Sequence, residues 1–217
     1  MTRTLKLFAV LSIAILCSIN AISQSFEGVV TYSITYLDVP AEIEGMESML
    51  PSETIKYIDG QRIRIEQTML MGTQVVISDF AANTSIVLMD ILGNKIAMVV
   101  PEEEMENEAQ ATTSIEINYF KDSKTIAGYK CKKAVITGDG FETPAIVYYT
   151  TKIPYTEDQF KGLKGLPLEM TVNSEGMQMV LSATSVQKKE VEESMFVIPD
   201  DYSIMTSEEL QELFGGE

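Results

Sequence analysis

The stretch TIKYIDGQRIRIEQ, residues 54–67, decides the fold. Thr54–Ile58 and Gln61–Gln67 are strand-like runs, and between them lies Asp59-Gly60. Both turn residues tolerate the positive φ of a type I′ turn, which makes this dipeptide the strongest short hairpin signal. Within the second run Arg62 and Arg64 alternate with Ile63 and Ile65. That period of two places the arginines on one face and the isoleucines on the other.

The same grammar extends outward in both directions. Upstream, Phe26, Gly28, Val30, Tyr32, Ile34 and Tyr36 share one face of a half-buried strand. Val39-Pro40 ends it. Ile43, Met46, Met49 and Leu50 then fall at helical spacing before Pro51, which predicts a short amphipathic helix. Downstream, strand runs are expected at 69–71, 75–78, 86–89 and 96–100, punctuated by Gly72, Ala82-Asn83 and Gly93-Asn94. Residues 101–110 are acidic and polar and read as an exposed loop. Further strands are expected at 115–120, 131–137, 145–150, 168–172 and 177–186. Capping-box pairs, Thr156 with Gln159 and Thr206 with Glu209, open two short helices. The expectation is about eleven strands in one mainly β domain, an antiparallel sheet or open barrel.

The N-terminus reads as an address. Arg3 and Lys6 precede an apolar run from Leu7 through Ile19, and Ala21-Ile22-Ser23 offers small residues for cleavage. Residues 1–23 are therefore expected to be a signal peptide, leaving a single domain over 24–217 that is periplasmic or extracellular. Cys17 is preceded by Leu16, where lipid attachment wants a small residue. The mature protein is expected to carry no permanent membrane anchor. Loss of Arg3 and Lys6 would take the net charge from −16 to −18. So acidic a surface repels phosphate backbones and anionic headgroups, which excludes nucleic acid as a partner.

The 217 residues contain no histidine, so the commonest general base and metal ligand is missing. No glycine-rich phosphate loop, nucleophile elbow or Cys-x-x-Cys is present. The chain is expected not to be an enzyme and to use no cofactor or metal. Cys131 would be the only cysteine of the mature chain. It sits between lysines 130, 132 and 133, which favour a thiolate, although free cysteine is also among the most buried residue types.

Methionine is the unusual feature, with thirteen in the chain. Met69 with Met71 and Met177 with Met179 share a strand face by i,i+2 spacing, and Met46 with Met49 share a helix face. Three readings stay open: core filling, an adaptable apolar cavity, or a soft-ligand Cu(I) site.

Several motifs occur in a characteristic order. Phe26-Glu27-Gly28 opens the first strand, followed by the Met-bearing helix and by Tyr57-Ile58-Asp59-Gly60. Ile126-Ala127-Gly128-Tyr129-Lys130-Cys131 comes next, then residues 148–154 and 162–168, then Phe196-Val197-Ile198-Pro199-Asp200-Asp201-Tyr202. This order resembles the envelope family known as domain of unknown function 4412, and more broadly the lipoprotein-carrier (LolA-like) fold. The resemblance implies a strongly curved antiparallel sheet, or half-open β-barrel, with short lid helices. Residues 43–50 would be such a lid over an apolar concavity for a lipid, a lipoprotein acyl chain or another hydrophobic ligand. Met46, Met49, Met69, Met71, Met177 and Met179 would line it, Tyr32 and Ile34 would form walls, and Arg62 and Arg64 would stand at its mouth. The alternative is an envelope interaction module with a filled core and a protein partner.

Overall fold

In the computed structural model the described residues are 26–41, 45, 47–100, 115–138, 141, 143–155, 160, 162–174, 176–206 and 209. They form one 12-stranded sheet, curved and open, whose edges do not close into a barrel. Its strands in chain order are β1 (Glu27–Asp38), β2 (Glu53–Asp59), β3 (Arg62–Met69), β4 (Gly72–Asp79), β5 (Thr84–Ile91) and β6 (Asn94–Val100). They continue as β7 (Glu116–Ile126), β8 (Tyr129–Thr137), β9 (Ala145–Thr150), β10 (Leu166–Ser174), β11 (Met177–Lys188) and β12 (Ser203–Met205). In space they run β12-β6-β5-β4-β3-β2-β1-β11-β10-β9-β8-β7. β1 thus lies inside the sheet, with one meander on each side. Every ladder is antiparallel except β12 on β6.

The hairpin read from residues 54–67 is present, with Asp59 paired to Arg62. Its central residues are Gly60 and Gln61, and only Gly60 has positive φ, at 63°. That is the requirement of a type II′ turn rather than the expected type I′. Doubly positive turns occur elsewhere, at Ala127-Gly128 (φ 45° and 83°) and Leu92-Gly93 (φ 53° and 87°). The strand expected at 69–71 does not exist. Met69 ends β3, and Leu70 and Met71 form the turn to β4.

Register assigns the faces. Tyr32, Thr54, Gln67, Gln74, Met89 and Ile96 are successive partners across β1 to β6 and share a first face. Thr31, Ile55, Glu66, Val75, Leu88 and Ala97 share the second. On the second face Val29, Val75, Ile77, Leu88 and Ala97 pack against Val191 and Phe196, so the C-terminal segment covers it. A 3₁₀ turn at Glu193–Phe196 presents that phenylalanine. The central core holds Val30, Tyr32, Ile58, Ile63, Tyr155, Leu166 and Leu168. A third cluster unites Ala134, Ile136, Ala145 and Val147 with Phe160 and Leu163 of the β9–β10 connection.

The region expected to form a helix at 43–50 contains, among the described residues, a 3₁₀ turn at Glu47–Met49. Met46 lies outside the described residues, as do residues 1–23, expected to be a signal peptide, and the acidic stretch 101–110. The helix expected after Thr156 also falls largely outside them. The second capping box is formed. Glu209 N–H donates to Thr206 Oγ1 at 3.2 Å, and Thr206 N–H donates to Glu209 Oε2 at 2.8 Å.

Candidate functional site

The β1–β2 connection returns to the sheet at a defined point. The Tyr36 hydroxyl donates to Pro51 O at 2.9 Å, and Ile34 N–H donates to Ser52 O at 2.8 Å. These bonds fasten the connection beside the β3–β4 turn and bring Met49 to the first face. There a groove of ≈ 460 Å³ is lined by Met49, Met69, Met71, Met89 and Ile91, with Gly72, Thr73 and Gln74. Among the described residues no charged side chain lines it. Thr73 and Gln74 supply its polar groups, and the walls are otherwise thioether and aliphatic. Such a volume is ordinary for a small-molecule site. Long unbranched methionines suit a wall that must adapt to its contents.

Gly72 has a definite part in this geometry. A Cβ at this position would sit 1.8 Å from Asp90 O, so only glycine lets β5 approach β4 there. The pairing Gly72 with Ile91 and Gln74 with Met89 then sets Met89 and Ile91 alongside Met69. Leu92 N–H donates to Met71 O at 3.2 Å and ties the two hairpin tips together.

Three of the expected residues, Met49, Met69 and Met71, come together in this groove. Met177 and Met179 lie on the first face at the same end of the sheet, where Met179 pairs with Tyr36. They are on β11, separated from β3 by β1 and β2, and do not line the groove. Tyr32 is 2% exposed and donates its hydroxyl to Pro167 O at 2.9 Å, so it is a core residue rather than a wall. Ile34 is likewise buried and outside the lining.

Arg62 and Arg64 are not at the mouth. They occupy the second face, opposite the methionines. Arg64 donates from Nη1 to Met195 O at 2.9 Å and from Nε to Glu66 Oε1 at 2.6 Å. Arg62 pairs with Asp59 and lies 4.8 Å from the centre of the Phe196 ring. Tyr57 adds its hydroxyl to Glu66, and burial together with that carboxylate holds the phenol above its ordinary pKa. Both arginines therefore clamp the C-terminal segment. Strand parity explains it, because Arg64 and Met69 are an odd number of residues apart.

Thr73, Gln74, Met89 and Ile91 are lining residues missed in the sequence. Met89 has no methionine at i±2, and only the β4–β5 register brings it to Gln74 and Gly72. Among the described residues no group of three or more His, Cys, Asp and Glu side chains could hold a metal.

An open, curved antiparallel sheet with an apolar groove at one end defines the class of architecture. No family model matches the chain, and no curated protein matches it. Solved structures do. PNGF-II in a C2 crystal form superposes with a TM-score of 0.52 at 15% identity, over 84% of this chain and 31% of that one. PNGF-II in a P21 form gives 0.52 at 14% identity, over 88% and 33%. This chain thus spans about a third of the length of PNGF-II, and the likeness is one of fold. LprF from Mycobacterium bovis matches with a TM-score of 0.36 at 10% identity, over 83% of this chain and 92% of that one.

Proposed function

We propose that this protein is an exported, non-catalytic binding protein that holds a hydrophobic ligand of acyl-chain type in the methionine groove. The carrying observation is the groove itself: four thioethers and Ile91 around ≈ 460 Å³, with no charged side chain among the described lining residues. An acyl chain entering it would gain about 0.8 kcal/mol per buried CH₂. Thr73 and Gln74 are the groups available to a ligand's polar end. Export follows from the reading of residues 1–23, and cleavage would leave Gln24 as the first residue of the processed chain.

The test is direct. The full chain is expressed, its N-terminus is read by mass spectrometry, and organic extracts are searched for co-purifying lipid. A fluorescent fatty acid is then titrated into the delipidated protein. Met89→Asp puts a negative charge on the groove wall and should weaken fatty-acid binding by about tenfold or more, since a charge in an apolar site that the fatty-acid carboxylate cannot pair with is costly. Absence of both co-purifying lipid and fatty-acid binding would overturn the proposal.

A further inference from the structure

The end of the sheet that opens into the groove carries exposed leucines at its turn tips. Leu70 is 74% exposed and Leu92 76%, with Met71 at 49% beside them. Leu37, at the same end of β1, is also exposed. The conformation makes Leu92 notable. It stands at φ 53°, the first central position of a type I′ turn, where asparagine or glycine is favoured. A large apolar side chain is thus kept in a backbone region that disfavours it and pointed into solvent.

Two backbone donors at these tips already have partners. Leu92 N–H is bonded to Met71 O, and Gly93 N–H to Asp90 Oδ1 at 3.0 Å. From Met69 to Gly72, and from Ile91 to Gly93, no side chain is charged. Apolar side chains that project beyond a surface, over backbone donors already satisfied, suit entry into the interfacial region of a bilayer. They suit a protein partner less well, since a stable interface covers about 800 Å² on each side and two adjoining turn tips offer a narrow point. The net charge of −16 disfavours anionic lipid.

We infer that the paired hairpin tips bearing Leu70 and Leu92 dock this protein on a zwitterionic phospholipid bilayer, with the groove opening toward the membrane. The contact serves the acyl-chain reading and rests on it for its purpose.

The experiment uses protein expressed from the full chain, with its N-terminus verified, and the double variant Leu70→Asn/Leu92→Asn. Neither residue lines the groove, and asparagine is the better residue at the Leu92 backbone position, so the variant should fold. Thermal melting checks that. Co-sedimentation with phosphatidylcholine vesicles is measured at about 0.15 M and ~1 M salt, because apolar insertion persists where ionic attraction is screened. The wild type should bind at both, and the variant about tenfold or more weakly. Both should bind the fluorescent fatty acid alike. The inference is overturned if the wild type does not bind vesicles, or if the variant binds them equally. It is also overturned if the tips mediate a dimer in solution that the variant breaks, without vesicle binding. Vesicle binding that responds to the variant, with no fatty-acid binding by either protein, would sink the groove reading and leave the docking surface standing.

Discussion

Cys131 shows how burial can override a local charge pattern. The flanking lysines suggest a reactive thiolate, yet side chains at i−1 and i+1 of a strand point away from the face that holds residue i. Lys130 and Lys132 are accordingly exposed, while the cysteine is 0% exposed in the central core. Lys133 lies over the Phe120 ring instead. Burial is the largest influence on the thiol and pushes its pKa up. The Sγ–H group donates to Tyr129 O at 3.4 Å. A raised pKa means less thiolate at any given pH than in a free cysteine, so native protein at pH 8 should react slowly with a disulfide reagent. Full reactivity should appear only with denaturant. Rapid labelling of the folded protein would contradict this.

At the scale of elements, the segment from Val191 to Phe196 works as a cover for half the sheet. Glu27 accepts from Val191 N–H at 2.9 Å, Arg64 reaches Met195 O, and Phe196 inserts beside Arg62. Phe196→Ala should therefore lower stability by about 3 kcal/mol, read from the midpoint of urea unfolding. Fatty-acid binding below the transition should be unchanged, because the groove is on the other face. Loss of binding in folded Phe196→Ala protein would refute that separation of faces. Strands with strong alternation were legible from residues alone, and their boundaries shifted by a few positions, except that β7, expected to end at Phe120, runs on to Ile126. The groove was legible in half. Met69 and Met71 announce themselves as a pair, whereas Met89 is placed by the register of β5 against β4, a long-range property no local window carries. The parity of Arg64 and Met69 was available in the sequence and excludes the arginines from the groove. Three-residue β12 escaped because a strand so short has no periodicity to detect.

On the scale of the whole molecule, β1 is the seam. It pairs with β2 across a short connection and with β11 across about three-quarters of the chain, so the two meanders join only when the distant strand arrives. High sequence separation of that kind slows folding. The two sides of the sheet are protected differently. β7 is mostly exposed, carries Lys121, Asp122 and Lys124, and is irregular between Tyr119 and Ser123, all of which discourage further pairing. β6 carries Lys95 at its start but ends in the uncharged apolar run Ile96–Val100. β12 lies along it for three residues, and Lys95 pairs with Asp201 just before that strand begins. A chain ending at Asp200 should then form assemblies that scatter light and bind thioflavin, while one ending at Thr206 should stay dispersed. Equal behaviour of the two would remove this role from β12. The last strand, the shortest in the sheet, is then a stopper: three residues occupy the template on which identical chains could otherwise stack without limit.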